Sequence, residues 1–333
     1  MRLLLPAFFA MTALAQHWTP QTSNTTVWLR GVSAVSQKVV FASGTGGTWL
    51  VTKDGGATWT ASKVPDAEKL DFRAIHAINQ QSIFMLSIGD GDKSRIYKTS
   101  DGGAHWDLQL TNPDPKGFLD ELAFWDAQHG IVLGDPVDGQ FAIFTTADGG
   151  RHWDRQHAPP AVPGEGAFAA SNSSLTILGS SEVWFATGSP GGARVFHSRD
   201  RGKTWTVAAT GIRNDSASSG IFSLAFSDSR HGMAVGGDYA KFNEDSKNIA
   251  VTSDGGLTWS EPASRPHGFR SAIIWLKARK AWLVTGTSGS DISTDGGNTW
   301  KNFDTGSFNA LAAADGTIAW AVGPRGRVAI LDF

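Results

Sequence analysis

The sequence predicts an all-β fold, a seven-bladed β-propeller whose ring closes by pairing the N-terminal strand with the C-terminal blade. Three observations predict it. A pattern Ser/Thr-x-Asp-Gly/Arg-Gly-x-Thr/His-Trp occurs six times, with its acids at Asp54, Asp101, Asp148, Asp200, Asp254 and Asp295. The steps between them are 47, 47, 52, 54 and 41 residues, the period that four short strands need. An apolar first strand and a glycine-terminated second strand recur not six but seven times along the chain.

At the start, Met1-Arg2 and the apolar run 3–14 read as the n- and h-regions of a signal peptide, with Ala13-Leu14-Ala15 as the cleavage site. That run is too short to span a bilayer as a helix. The expectation is a signal peptide over 1–15, a single propeller domain over 16–333, and a secreted or periplasmic product without a transmembrane segment.

The first strands are expected at 27–32, 72–77, 119–124, 175–178, 221–226, 269–275 and 308–312. The second strands are expected to end in glycine, at Gly44, Gly89, Gly134, Gly188, Gly236, Gly286 and Gly323. A third strand leads into each repeated pattern, and a fourth begins at its Trp. After Gly323 the chain stops where a seventh pattern would start, whereas Trp18-Thr-Pro-Gln-Thr22 looks like the segment that follows one. Trp18 is therefore expected to supply the missing Trp of the last blade and to close the ring. Closure of this kind removes exposed sheet edges.

The repeated acids read as structural. Asp in a tight turn accepts hydrogen bonds from nearby backbone N–H groups, and Gly supplies positive φ. The Trp brings a large apolar body to the next strand. They predict fold and say little of function.

Composition narrows the function classes. The 29 basic and 31 acidic residues nearly balance at a net charge of −2, giving no reason to expect nucleic acid as partner. The 39 Gly and 14 Trp suit a hairpin-dense repeat. Cysteine is absent, which excludes disulfides, a thiolate nucleophile and Cys-ligated metal. The nine histidines lack metal-ligand spacing, so no metal and no cofactor is expected.

Candidate binding residues lie on the face opposite the repeated turns, around the channel. Loops 89–95, 134–139, 163–166 and 236–245 gather there, and loops on a rigid scaffold concentrate binding groups. Aligned first strands put Arg30, Arg73 and Arg270 at one place, which Asp120, Ser223 and Asn309 fill in three other blades; the fourth blade does not align. Three arginines in a closed ring would line one arc of the channel mouth and suit a carboxylate or phosphate. Asp135, Asp238 and Tyr239 join them from the loops. Either loop acids neutralise the arginines permanently, or an acidic ligand does so on binding.

The repeated pattern resembles the Asp-box, or BNR, repeat of sialidases, sortilin-type receptors and photosystem II assembly factors. The sialidase likeness implies a Tyr nucleophile with a Glu partner. Tyr97 is expected to lie outside the channel, which leaves Tyr239 with Glu165. Leu29-Arg30-Gly31-Val32 lacks the Arg-Ile-Pro motif of sialidases, which also usually have six blades. The same tetrapeptide, with Ala42-Ser-Gly44-Thr-Gly46-Gly47 and Thr52-Lys-Asp54-Gly-Gly56, resembles the opening of the photosystem II stability and assembly factor family. That resemblance covers nearly the whole mature chain. It implies an accessory propeller that holds a reaction-centre precursor on an arginine-rich channel face, and Arg30, Arg73 and Arg270 are residues of the matching kind. Asp120 and loops 163–166 and 236–245 look more like relatives in non-photosynthetic bacteria. Such relatives are often labelled oxidoreductases, a label that no residue here supports. The expected partner is an exported or membrane protein, or an acidic small ligand. A sialidase-like glycoside hydrolase on the same face is the alternative.

Overall fold

Each blade starts beside the central channel and meanders outward. The computed structural model describes residues 16–332, and among them the strands form seven antiparallel sheets. The expected signal peptide lies outside the described residues. Blade 1 runs outward through Leu29–Ala34, Val40–Gly44, Thr48–Thr52 and Thr60–Lys63. Blades 2, 3, 4 and 6 repeat this order from inner strands Asp71–Ala77, Leu119–Phe124, Leu175–Leu178 and Ala272–Leu276. Blade 5 begins at Ser219–Phe226 and has three strands, its fourth reduced to a bridge between Val251 and Ser260. Pro262 and Pro266 follow that bridge, and proline cannot donate to a ladder.

The ring closes as the orphan Trp predicts. Blade 7 takes Ala310–Ala314, Ile318–Val322 and Val328–Asp332 from the C-terminus and Thr19–Gln21 from the N-terminus. Thr19 pairs with Ile330 and Gln21 with Val328.

Alternation along each strand gives every blade two apolar faces, which fill seven clusters at the seams between blades. Val40, Ala42 and Leu50 face blade 7, for example, whereas Phe41, Trp49 and Val51 face blade 2. One Trp per blade seals its seam with the preceding blade: Trp59, Trp106, Trp153, Trp205, Trp259 and Trp300 in order. Trp18 does this for blade 7, packing against Phe308 and donating from Nε1 to Ser290 Oγ at 2.9 Å.

The six repeated turns share one geometry. Thr52 Oγ1 accepts from Gly56 N at 2.8 Å and donates to Asp54 Oδ1 at 2.8 Å. Asp54 in turn accepts from Thr58 N at 2.9 Å and Thr58 Oγ1 at 2.6 Å. The same bonds recur around Asp101, Asp148, Asp200, Asp254 and Asp295, with His105 and His152 in place of the last Thr. The second glycine also serves packing. Gly103 sits at φ +96°, and a Cβ there would meet the Trp49 ring of blade 1 at 2.2 Å. Only glycine allows both the turn and that approach.

Candidate binding site at the channel mouth

Four inner strands share one irregularity near their starts. In blade 1, Leu29 pairs with Gly44 and Gly31 with Ser43, so the ladder skips Arg30. Arg73, Asp120 and Phe222 are skipped likewise in blades 2, 3 and 5. A bulge of this kind re-aims its side chain. Arg73 and Phe222 show the direction, because both meet a segment that fills the channel.

That segment belongs to blade 4. Gly166 pairs with Gly188, and Ala186 N next donates to Ser174 O at 2.9 Å. Between those points the chain leaves the sheet, and residues 167–173 form a plug. Asn172 Nδ2 donates to Ile75 O of blade 2 at 3.2 Å and to Val32 O of blade 1 at 3.4 Å. Ser171 Oγ donates to Phe222 O of blade 5 at 2.8 Å. Ser173 O accepts from Leu224 N at 2.9 Å. Small and hydroxyl-bearing residues fit here, because each must satisfy inner-strand groups at close range. The sequence signal for the plug was the fourth blade's failure to align.

Above the plug the ring divides into two halves. On blades 5, 6 and 7 polar groups are tied to their neighbours. Ser223 Oγ accepts from Ile273 N at 2.9 Å, Ser271 Oγ donates to Asn309 O at 3.0 Å, and Asn309 Nδ2 donates to Leu29 O at 2.8 Å. On blades 1, 2 and 3 several polar atoms are left without such a tie. Arg30 Nε, Asp71 Oδ1, Asp120 Oδ2 and Glu121 Oε2 are buried without a hydrogen-bond partner. Arg73 Nε donates to Asp71 Oδ2 at 2.9 Å, and its Nη1 donates to Ala169 O of the plug at 3.1 Å. Burial, then the nearby Arg73 charge, lowers Arg30 to about 10, with Asp71 opposing. Arg30 stays protonated at neutral pH, in a place that disfavours its charge. Burial raises Asp120 well above the usual carboxylate range, helped by Asp135 and Glu121, and burial also raises Glu121.

Arg270 does not join this pair. Leu29 N donates to Gly323 O, Ile221 N to Thr187 O, Arg270 N to Gly236 O and Phe308 N to Gly286 O, in each case the preceding blade. Arg270 is thus equivalent to Leu29, one residue before Arg30, and Ser271 occupies the channel position. A slip of one residue turns a strand side chain to the other face. Arg270 is fully buried, with Nε 2.8 Å from Asp291 Oδ2 and Nη1 2.9 Å from Ser288 Oγ. The matching position in blade 5 is likewise Phe222 and not Ser223.

The loop candidates also separate. Asp135 accepts from Ala167 N at 2.8 Å and anchors the start of the plug. Burial raises its carboxyl to about 6. Asp238 accepts from Ala240 N at 2.9 Å and caps the short turn Tyr239–Lys241. Glu165 is buried and fully engaged, accepting from Arg194 Nε at 2.9 Å, Thr187 Oγ1 at 2.6 Å and Val162 N at 3.0 Å. Those bonds keep its carboxylate from partnering Tyr239. Tyr239 is half exposed and stands edge-on to Phe222 at 6.0 Å. Tyr97 is buried in the seam between blades 1 and 2, edge-on to Phe72.

Known structures share this architecture. The chain is similar to "YCF48 bound to D1 peptide", with a TM-score of 0.67 and 17% identity over 95% of this chain and 97% of that one. YCF48 from Cyanidioschyzon merolae gives a TM-score of 0.67 and 16% identity over 96% and 99%. The GH74 xyloglucanase from Xanthomonas campestris gives 0.67 and 14% over 94% of this chain and 53% of that one. These likenesses show the seven-bladed fold. No family model and no curated protein matches the sequence. Among the described residues no helix is long and apolar enough to cross a membrane.

Proposed function

We propose that this chain is an exported, non-catalytic binding propeller of the Asp-box kind that recognises an acidic group of a protein partner at its channel mouth. The observation that carries this reading is the Arg30–Arg73 pair. Two guanidinium groups occupy adjacent bulges, and Arg30 Nε is buried without a partner. Asp71 bonds Arg73 and leaves the paired positive charge only partly offset. An incoming carboxylate would complete the hydrogen bonding of Arg30 and relieve the repulsion between the two. The likeness to a propeller described as bound to a peptide agrees with this choice of partner.

Calorimetric titration with a glutamate-bearing peptide tests the reading. Arg73→Ala should weaken binding by about 1.5–3 kcal/mol, the scale of a charge-assisted hydrogen bond. Arg73→Lys should rescue only part, because an ammonium lacks the bidentate fork. Equal binding by wild type and both variants would return Arg30 and Arg73 to the scaffold. Export rests on the n-region, the h-region and Ala13-Leu14-Ala15. Intact-mass analysis from the native host should show a mature protein beginning at Gln16, and a retained 1–15 segment would refute it.

A glycoside hydrolase is the second proposal, supported by the likeness to a GH74 propeller. Covalent labelling of Tyr239 by a fluorosugar would favour it over the binding reading.

A further inference from the structure

The large hydrophobic side chains exposed among the described residues are Trp28, Leu108, Val207, Tyr239, Phe242 and Leu257. The three aromatic ones all lie on the channel face. Trp28 immediately precedes the inner strand of blade 1, and Tyr239 and Phe242 belong to the loop after the second strand of blade 5. They are 49%, 50% and 45% exposed.

Tyr239 stands on a built foundation, and the backbone of Phe242 is tied beside it. Phe168 of the plug stacks on Phe222 at 4.0 Å and an interplanar angle of 9°. Phe222 meets Phe269 edge-on at 4.7 Å, and Tyr239 leans on both. Phe269 N donates to Phe242 O at 2.9 Å, which ties the loop to blade 6. Phe222 and Phe269 are buried beneath, while Phe168 is partly open. Rigid aromatic side chains lose little entropy on binding, and Tyr, Trp and Arg dominate interface hot spots.

Consecutive plug residues connect this surface to the arginine pair. Phe168 lies on the aromatic stack, and Ala169 O is 3.1 Å from Arg73 Nη1. Adjacent Cα atoms are about 3.8 Å apart, so the two surfaces are neighbours across the plug. The plug lies between them, bonded to the inner strands of blades 1, 2 and 5. A surface with a charged half and an aromatic half suits an extended chain, whose side chains reach both.

We propose that the mouth reads two features of one partner polypeptide segment, an acidic group at Arg30 and Arg73 and an aromatic or large apolar side chain on Phe168, Tyr239 and Phe242. This rests on the acid-recognition reading above and adds a second subsite to it. Tyr239 and Phe242 contribute contact area and so set which acidic segments are retained. Trp28, whose ring centroid is 5.1 Å from the Arg30 guanidinium, borders the charged half.

Fluorescence anisotropy with labelled Gly/Ser octapeptides tests the proposal. Each peptide carries one Glu and one Phe, separated by one to four residues, and controls replace Phe by Ala or Glu by Gln. At the best spacing, Phe→Ala in the peptide should weaken binding to the wild type about fivefold or more, the scale of one aromatic contact. In a Tyr239→Ala/Phe242→Ala protein that dependence on Phe should fall below about twofold, whereas dependence on Glu persists. Both side chains are half exposed, so a wild-type urea midpoint confirms folding. Glu-dependent binding with no Phe effect at any spacing, or a Phe effect unchanged in the double variant, overturns the second subsite and leaves acid recognition intact. Loss of Glu dependence in the wild type overturns acid recognition itself, and the two-point reading with it. Binding of digalacturonate in place of every peptide also overturns the choice of a polypeptide.

Discussion

The repeated turns and the acids beside the plug treat their carboxylates in opposite ways. On the face of the repeated turns, Asp54, Asp254 and Asp295 are lowered to about 2, chiefly by hydrogen bonds from Thr58, Thr258 and Thr299. These acids lie at the surface, yet every turn completes the same set of bonds. At the channel mouth, Asp120, Glu121 and Asp135 are raised by burial, and Asp120 and Glu121 each keep an oxygen without a partner. Satisfied groups hold a scaffold together, whereas buried unsatisfied ones are retained against their own stability. The difference marks where the groups of the proposed partner would be received. It also separates Arg270, satisfied by Asp291, from Arg30, which is not.

The largest expected effect would test that last separation. Asp291→Ala leaves a fully buried guanidinium unpaired, and breaking a buried pair in this way costs about 3–5 kcal/mol. The urea midpoint should fall accordingly, while peptide affinity of the folded protein stays unchanged. Arg270→Leu combined with Asp291→Ser should recover most of the loss, because Leu29, Ile221 and Phe308 occupy the equivalent position elsewhere. If affinity falls with Asp291→Ala while stability holds, Arg270 belongs to the site after all.

A smaller loss is expected on the opposite face. Thr99 is fully buried, and its Oγ1 accepts from Gly103 N at 2.9 Å and donates to Asp101 Oδ1 at 2.8 Å. Thr99→Val keeps the shape and strands the Gly103 N–H, which should cost about 1–3 kcal/mol. Denaturant titration reads the cost, and anisotropy should read no change in binding. A binding defect here would erase the contrast between the faces.

The ring and its closure were legible because they rest on local chemistry repeated at a fixed period. Seven Trp, one of them orphaned at position 18, correspond to seven seams. The mouth was less legible. Arg73 and Arg270 both follow a Phe, so matching by residue type placed them together. The ladder distinguishes them by where each strand first bonds the preceding blade, which is a long-range fact. The plug was hidden for the same reason. Ala167-Phe-Ala-Ala-Ser-Asn-Ser-Ser174 has neither strand alternation nor a turn signature, and its conformation comes from four other blades. Proline in the segment after Trp259 did offer a readable warning that the fourth strand of blade 5 would fail.

The smallest expected effect has the opposite sign and comes from Asp135. Its carboxyl stands at about 6 in the folded chain, against an ordinary 3.8, because burial disfavours the charge. The folded state therefore holds this proton more tightly than the unfolded state does. The associated stability is fully present below about pH 4 and is lost as pH rises through 6. At about 1.4 kcal/mol per pH unit the full loss is at most about 3 kcal/mol, and partial exposure screens it to about 1–2 kcal/mol. Asp135→Asn keeps an oxygen for Ala167 N and removes the charge. It should raise stability at pH 7 by about 1–2 kcal/mol, and the gain should vanish toward pH 4. The repeated turns behave inversely, since acids held near 2 contribute stability that is lost only as pH falls from about 4 toward 2. Urea titrations of wild type and Asp135→Asn at pH 4, 5.5 and 7 follow the Asp135 window, which lies above that of the turns. A constant difference between the proteins across that range would mean that Asp135 titrates normally, and the mouth would lose one of the strained acids that set it apart.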